Sequence, residues 1–132
     1  MRSLIYLLFL FVLFGCDYSK EDLVGIYVKT PSINTSDTLY LYDNNRYTQK
    51  VYFKTGEFFG VNENEWTVKD GKVDFMNLYL NYDFNLNDYA KPKEGKIDEK
   101  SLMPSLLPIK GGKIIVDFDR QIYYQKIEET RW

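Results

Sequence analysis

Residues 65–75 read Glu-Trp-Thr-Val-Lys-Asp-Gly-Lys-Val-Asp-Phe, and this stretch decides the fold. Trp66, Val68, Val73 and Phe75 alternate with polar neighbours on either side of Asp70-Gly71. Alternation at period two marks half-buried strands, and Asp-Gly between two such runs marks a two-residue hairpin whose turn needs positive φ at both positions. The same pattern spreads in both directions. Upstream, Ile26–Lys29 reads as a first strand ended by Thr30, Pro31 and polar residues 32–37. Thr38–Asp43 follows, with Leu39 and Leu41 on one face, then a turn at Asp43-Asn44-Asn45 and a return over Arg46–Lys54 that aligns Tyr47, Gln49, Val51 and Phe53. Gly56 reverses the chain into Glu57–Val61, and Asn62, Glu63 and Asn64 read as a break before Glu65–Lys69. After the hairpin comes Lys72–Tyr82, with Val73 and Phe75 as inward residues. These strands follow one another without a helix, so the fold class is all-β, an antiparallel up-and-down meander closing into a small barrel or a half-barrel.

Residues 83–110 break the rhythm. Lys91–Lys100 is charge-rich, and Ser101–Ile109 mixes Pro104 and Pro108 with apolar Leu102, Met103, Leu106, Leu107 and Ile109. Proline interrupts helices and central strands, so a long loop is expected before the last hairpin, either a lid or a plug packed across one open end of the barrel or sheet. That hairpin, Lys113–Phe118 and Gln121–Ile127, turns at Asp119-Arg120.

The composition excludes several chemistries. The chain has 132 residues, no histidine and one cysteine, so it lacks the commonest general base and the commonest zinc ligand. Asp117 with Asp119, and Glu63 with Glu65, are the carboxylate pairs that could do acid–base work, but neighbouring carboxylates at strand ends read as turn residues. Asp83–Asp88 lacks the spacing of an EF-hand calcium loop, and no glycine loop for phosphate is present. No catalytic residue, metal or cofactor is expected. A net charge of −2 without a basic cluster argues against nucleic acid as a partner. Aromatic residues are abundant instead, with 12 Tyr, 9 Phe and 2 Trp. Tyr40 and Tyr42 share one strand face, while Tyr123 and Tyr124 supply both faces of the last strand. Aromatic rings of this kind suit a barrel interior, a ligand cavity or an interface.

The first residues, MRSLIYLLFLFVLFGC, carry a positive start at Arg2, an apolar centre over Leu4–Phe14 and small Gly15 before Cys16. The apolar run is shorter than the ~20 residues of a membrane span. Leu13-Phe14-Gly15-Cys16 resembles the lipobox of bacterial lipoproteins, with Phe14 bulkier than the usual occupant. The resemblance implies a signal peptide over residues 1–15, acylation of Cys16, a tether over residues 16–22 and a single domain over residues 23–132. The membrane would then be a partner through lipidated Cys16. In such lipoproteins an Asp beside the cysteine, like Asp17, is an inner-membrane signal, whereas Lys20, Glu21 and Asp22 resemble a surface-export signal. Asn, Lys and Tyr are abundant, a composition that resembles that of bacterial groups using the second signal, and this resemblance implies the outer membrane as the expected location in the bacterial envelope.

Gly25 stands two residues before Tyr27 at the start of the first strand. With the meander that follows, this resembles the lipocalin-like (calycin) small lipoproteins, which carry a glycine two before an aromatic, typically Trp, at this place. The resemblance implies a barrel that binds a small apolar ligand or lipid in its mouth, with residues 83–110 near the entrance. Trp66, Phe75 and Tyr124 are the expected ligand-lining residues. The alternative is a protein-binding envelope module, such as an inhibitor or immunity lipoprotein, acting through a tyrosine-rich face.

Overall fold

The computed structural model describes residues 18–127. The leader and Cys16 lie outside the described residues. A short helix α1 (Lys20–Leu23) precedes eight strands: β1 (Gly25–Thr30), β2 (Thr35–Leu41), β3 (Arg46–Phe53), β4 (Phe58–Lys69), β5 (Lys72–Leu78), β6 (Met103–Lys110), β7 (Lys113–Asp117) and β8 (Ile122–Ile127). Each strand pairs antiparallel with the next and β8 returns to β1, so the sheet is a closed barrel rather than a half-barrel. Up-and-down order sorts the connections. The tight turns 41–46, 69–72 and 110–113 lie at one end with α1, and the connections 30–35, 53–58, 78–103 and 117–122 lie at the other, which we call the mouth.

The hairpin at Asp70-Gly71 forms as its sequence predicts, with φ of 52° and 71° at the two turn residues and Trp66 paired with Phe75. Alternation also holds in β2 and β3, where Leu39, Leu41, Tyr47, Gln49 and Val51 are all buried. Gly25 has a φ of 153°, and a Cβ there would come within 2.6 Å of Lys126 Cε, which gives the glycine of the opening motif a local reason.

Two expectations are corrected. The supposed break at Asn62–Asn64 is absent, because β4 runs through it in register with β3. Asn62 is an inward position, and its Nδ2 donates to the Tyr47 hydroxyl at 3.1 Å and the Asn77 carbonyl at 2.8 Å, so the polar residue is satisfied inside the barrel. The chain enters the barrel through α1. Lys20–Leu23 is helical, the Asp22 carboxylate accepts from the N–H and hydroxyl of Ser19, and Leu23 is buried beneath the barrel, where the Tyr27 hydroxyl donates to its carbonyl at 2.7 Å.

The second correction concerns the long loop. Its last third, Met103–Lys110, is strand β6, paired with β5 from Leu78↔Met103 to Lys72↔Pro108. Register explains why the prolines are tolerated. Lys110 and Lys113 flank the two-residue Gly111-Gly112 turn, so the Lys110 N–H faces β7, and residues 104 and 108 face the same way by period two. Pairing with β7 ends at Ile109↔Ile114, leaving that edge of Met103–Pro108 open. The missing proline donors therefore break no ladder.

Residues 79–102 remain a long connection with three 3₁₀ turns. It packs on the barrel wall, where Leu86 and Ile97 join Val51 and Phe59 in a second small core and the Ile97 N–H donates to the Val61 carbonyl at 3.0 Å. Gly60 makes room for this strap, since a Cβ there would lie 2.8 Å from Ile97 Cγ1.

Candidate functional site: the mouth of the barrel

The interior is divided along its axis. Towards α1 it is apolar: Tyr27, Leu39, Leu41, Tyr47, Trp66, Phe75 and Ile114 pack with Leu23 below them. Towards the mouth the inward positions turn polar. Lys29, Thr35, Asp37, Gln49 and Asn62 are each at least nine-tenths buried, and the start of the long connection inserts Asn81 and Asp83 among them.

Two linked groups make up this layer. In the first, Asp83 Oδ1 accepts from Lys29 Nζ at 3.2 Å, from the backbone N–H groups of Asn34 and Thr35 at 3.0 Å each, and from the Thr35 hydroxyl at 3.1 Å. Burial alone would raise the Asp83 pKa, but these N–H donors and the Lys29 ammonium together hold it below its ordinary value. Burial pulls Lys29 down, opposed by the charges of Asp37 and Asp83. In the second group, Asp37 Oδ2 accepts from the Tyr124 hydroxyl at 2.7 Å and from Gln49 Nε2 at 3.3 Å, while Oδ1 has no partner among the described residues. Burial pushes this carboxyl up to about 6, against the opposing pull of Tyr124, Lys29, Gln49 and Asn81.

Gln49 ties the layer to the surface. Its Nε2 donates to the Tyr79 carbonyl at 2.7 Å and its Oε1 accepts from the Tyr79 N–H at 3.1 Å, so the backbone of Tyr79 is held as a neighbouring strand would hold it. With that backbone fixed, the Tyr79 ring lies beside Phe59 at a centroid distance of 6.3 Å and a tilt of 30°. Both rings line a cleft of about 740 Å³ at the mouth, with Tyr82, Phe84, Tyr89 and Met103 as further walls and Lys91, Lys93, Lys96 and Asp98 among its polar residues. Phe84, Tyr89 and Met103 are 45%, 51% and 51% exposed, a concentration of apolar surface that the interior does not use. The strap separates this cleft from a second of about 670 Å³ on the barrel side, where Asn62, Asn64, Asn77 and Arg46 form a largely polar lining.

The residues expected to line a ligand fall elsewhere. Trp66 and Phe75 are in the apolar packing, Trp66 with its indole N–H donated to the Tyr42 carbonyl at 3.0 Å, and Tyr124 holds Asp37. None of the three lines either cleft. The carboxylate pairs are not brought together as sites: Asp117 Oδ1 accepts from the N–H groups of Asp119 and Arg120 within its turn, and Glu63 and Glu65 are exposed, Glu65 facing Arg46 at 3.7 Å. Tyr40 and Tyr42 stack on the outer surface at 6.5 Å. The polar layer went unremarked in the sequence, although its signal was there: Lys29 and Asp37 occupy inward positions in otherwise alternating strands.

No family model matches the chain, and no curated protein matches it. Among solved structures it is similar to the NMR structure of a protein from Bacteroides thetaiotaomicron VPI-5482, at 13% identity and a TM-score of 0.51, covering 86% of this chain and 96% of that one. Likeness at that identity concerns the fold alone.

Proposed function

We propose that this protein is a bacterial envelope lipoprotein, anchored through acylated Cys16, that holds one small amphipathic molecule in the cleft at the mouth of its barrel. The observation that carries the reading is the 740 Å³ aromatic cleft beside a packed interior. Ligand pockets commonly measure about 300–1,000 Å³, are lined by apolar and aromatic groups, and hold a few polar groups that orient the ligand. The lipocalin-like expectation is thereby moved from the inside of the barrel to the long connection beside its mouth. The sequence Leu13-Phe14-Gly15-Cys16 supports the anchor, and Asn, Lys and Tyr abundance supports the outer membrane. Among the described residues no helix is long and apolar enough to cross a membrane.

Two measurements test the two halves of the proposal. Native mass spectrometry of the protein released from its host envelope should show an extra mass of small-molecule size that departs on denaturation and is lost from the Phe84→Ala/Tyr89→Ala variant. A chain that flies empty, or with a bound protein, would overturn the carrier reading in favour of an interaction module. Separately, Cys16→Ala should abolish acyl labelling and membrane fractionation; unchanged labelling would remove the anchor.

A further inference from the structure

Resting on the mouth cleft as the binding site, we infer that its ligand is a ring-bearing molecule with one anionic group, its rings lying against Tyr79 and Phe84 and its charge facing Lys93 and Lys96. Five of the walls are aromatic, Phe59, Tyr79, Tyr82, Phe84 and Tyr89, against two branched aliphatic side chains, Leu80 and Ile97. Tyr82 and Phe84 pack at 5.8 Å with a 55° tilt, and Tyr79 and Phe59 at 6.3 Å with a 30° tilt. Rings gain most against such faces by offset stacking and edge contacts, which a flexible chain does not provide.

The charge around the cleft is unbalanced in one direction. Lys91 is committed to Glu57, 2.9 Å away, but Lys93 and Lys96 have no carboxylate partner among the described residues. These two belong to one turn, closed by the Lys96 N–H donating to the Lys93 carbonyl at 3.2 Å, so they stand together at the rim. Asp98 is the one carboxylate in the lining, and its Oδ1 already accepts from the Lys100 N–H at 3.1 Å. Arg120 also lies 5.9 Å from the Phe84 ring centre, but Asp117 faces it at 3.9 Å, so it adds no free charge. Two free ammonium groups beside an aromatic wall select an anion, because partial removal from water strengthens the attraction and a neutral ligand would leave them unused.

A matched pair of fluorescent probes isolates the head group. 8-Anilinonaphthalene-1-sulfonate and N-phenyl-1-naphthylamine share one ring body and differ in the sulfonate. The protein as its host processes it is held in phosphatidylcholine nanodiscs and titrated with each probe, and the signal of the Phe84→Ala/Tyr89→Ala variant in identical discs is subtracted to remove partition into lipid. The sulfonate should saturate the cleft at least tenfold more tightly than the neutral probe, although water alone favours burial of the latter. Lys93→Gln/Lys96→Gln, which alters only exposed side chains, should erase that preference by weakening the sulfonate at least tenfold. Equal or tighter binding of the neutral probe, unaffected by the lysine variant, would overturn the anionic class while leaving the cleft in place. Absence of a saturable difference for both probes would overturn the cleft reading together with the inference.

Discussion

The two halves of the barrel interior solve the same packing problem by opposite means. The half next to α1 is filled by Trp66, Phe75, Tyr27 and the leucines of β2, which pack by volume and whose few polar atoms, the Tyr27 hydroxyl and the Trp66 indole N–H, each donate to a backbone carbonyl. The half next to the mouth is filled by Lys29, Asp37, Asp83, Gln49 and Asn62, whose burial is tolerable only while each finds its partners. Apolar packing is indifferent to direction, whereas a polar layer fixes the segment that completes it. Here that segment is the start of the long connection: Gln49 grips the Tyr79 backbone and Lys29 grips Asp83. The cost of burying charge therefore sets the aromatic wall of the cleft in place, a role that a second apolar half would perform less specifically.

The largest test of the contrast is Trp66→Ala. Removing a fully buried indole leaves a cavity and strands the Tyr42 carbonyl, so stability should fall by about 3–5 kcal/mol in denaturant titration, with no new dependence on pH. A loss under 1 kcal/mol would mean that the lower half is not the tightly packed one.

The polar half should instead show itself through pH. The folded-state pKa of Asp37, about 6, lies above its ordinary 3.8, so the folded chain binds this proton more tightly than the unfolded chain. Its contribution is complete below about pH 4 and is lost as pH rises through 6, and a gap of this size corresponds to about 3 kcal/mol at 1.36 kcal/mol per pH unit. Asp83 runs the other way, since its lowered pKa gives a contribution that is present above 3.8 and lost only as pH falls through its folded value. Between pH 4 and 7 the Asp37 shift therefore lowers stability as pH rises. Unfolding free energies measured across it should decline in the wild type and stay level in Asp37→Asn. Tyr124→Phe, which removes a donor that lowers the Asp37 pKa, should move the decline to higher pH. A flat wild-type profile would show that the carboxyl is solvated and the polar layer open.

Legibility in the sequence follows the same division. Strand order, the Asp70-Gly71 hairpin and the inward faces of β2, β3 and β5 could be read because alternation and turn chemistry are local. The burial of Trp66 was equally plain, but alternation cannot say whether an inward ring meets a ligand or another ring, and here it meets the core. Pro104 and Pro108 misled because a proline's effect depends on which edge its nitrogen faces, a property of register with β7 that no short stretch carries. Asn62–Asn64 misled for a related reason, since the partner that satisfies Asn62, the Asn77 carbonyl, is 15 residues away. The candidate site was half visible: residues 83–110 were placed near the entrance, while the lysine–aspartate layer beneath depends on contacts across about 50 residues that joined no single motif.

The smallest effect should come from the ion pair that resembles the buried one on paper. Lys91 and Glu57 are 2.9 Å apart, closer than Lys29 and Asp83, and they likewise join the long connection to the barrel, at the β3–β4 turn. Both side chains are more than half exposed, so water screens their attraction and ordering two long side chains offsets much of what is left. Lys91→Ala should lower stability by under about 1 kcal/mol, and the loss should shrink further in 1 M salt, where the Debye length is about 3 Å. Lys29→Met should cost several times as much and keep its cost in salt, because it leaves the Asp83 carboxylate buried without its cation. Equal losses for the two variants would mean that distance, and not burial, governs how the connection is held, and the polar layer would lose its claim to position the cleft.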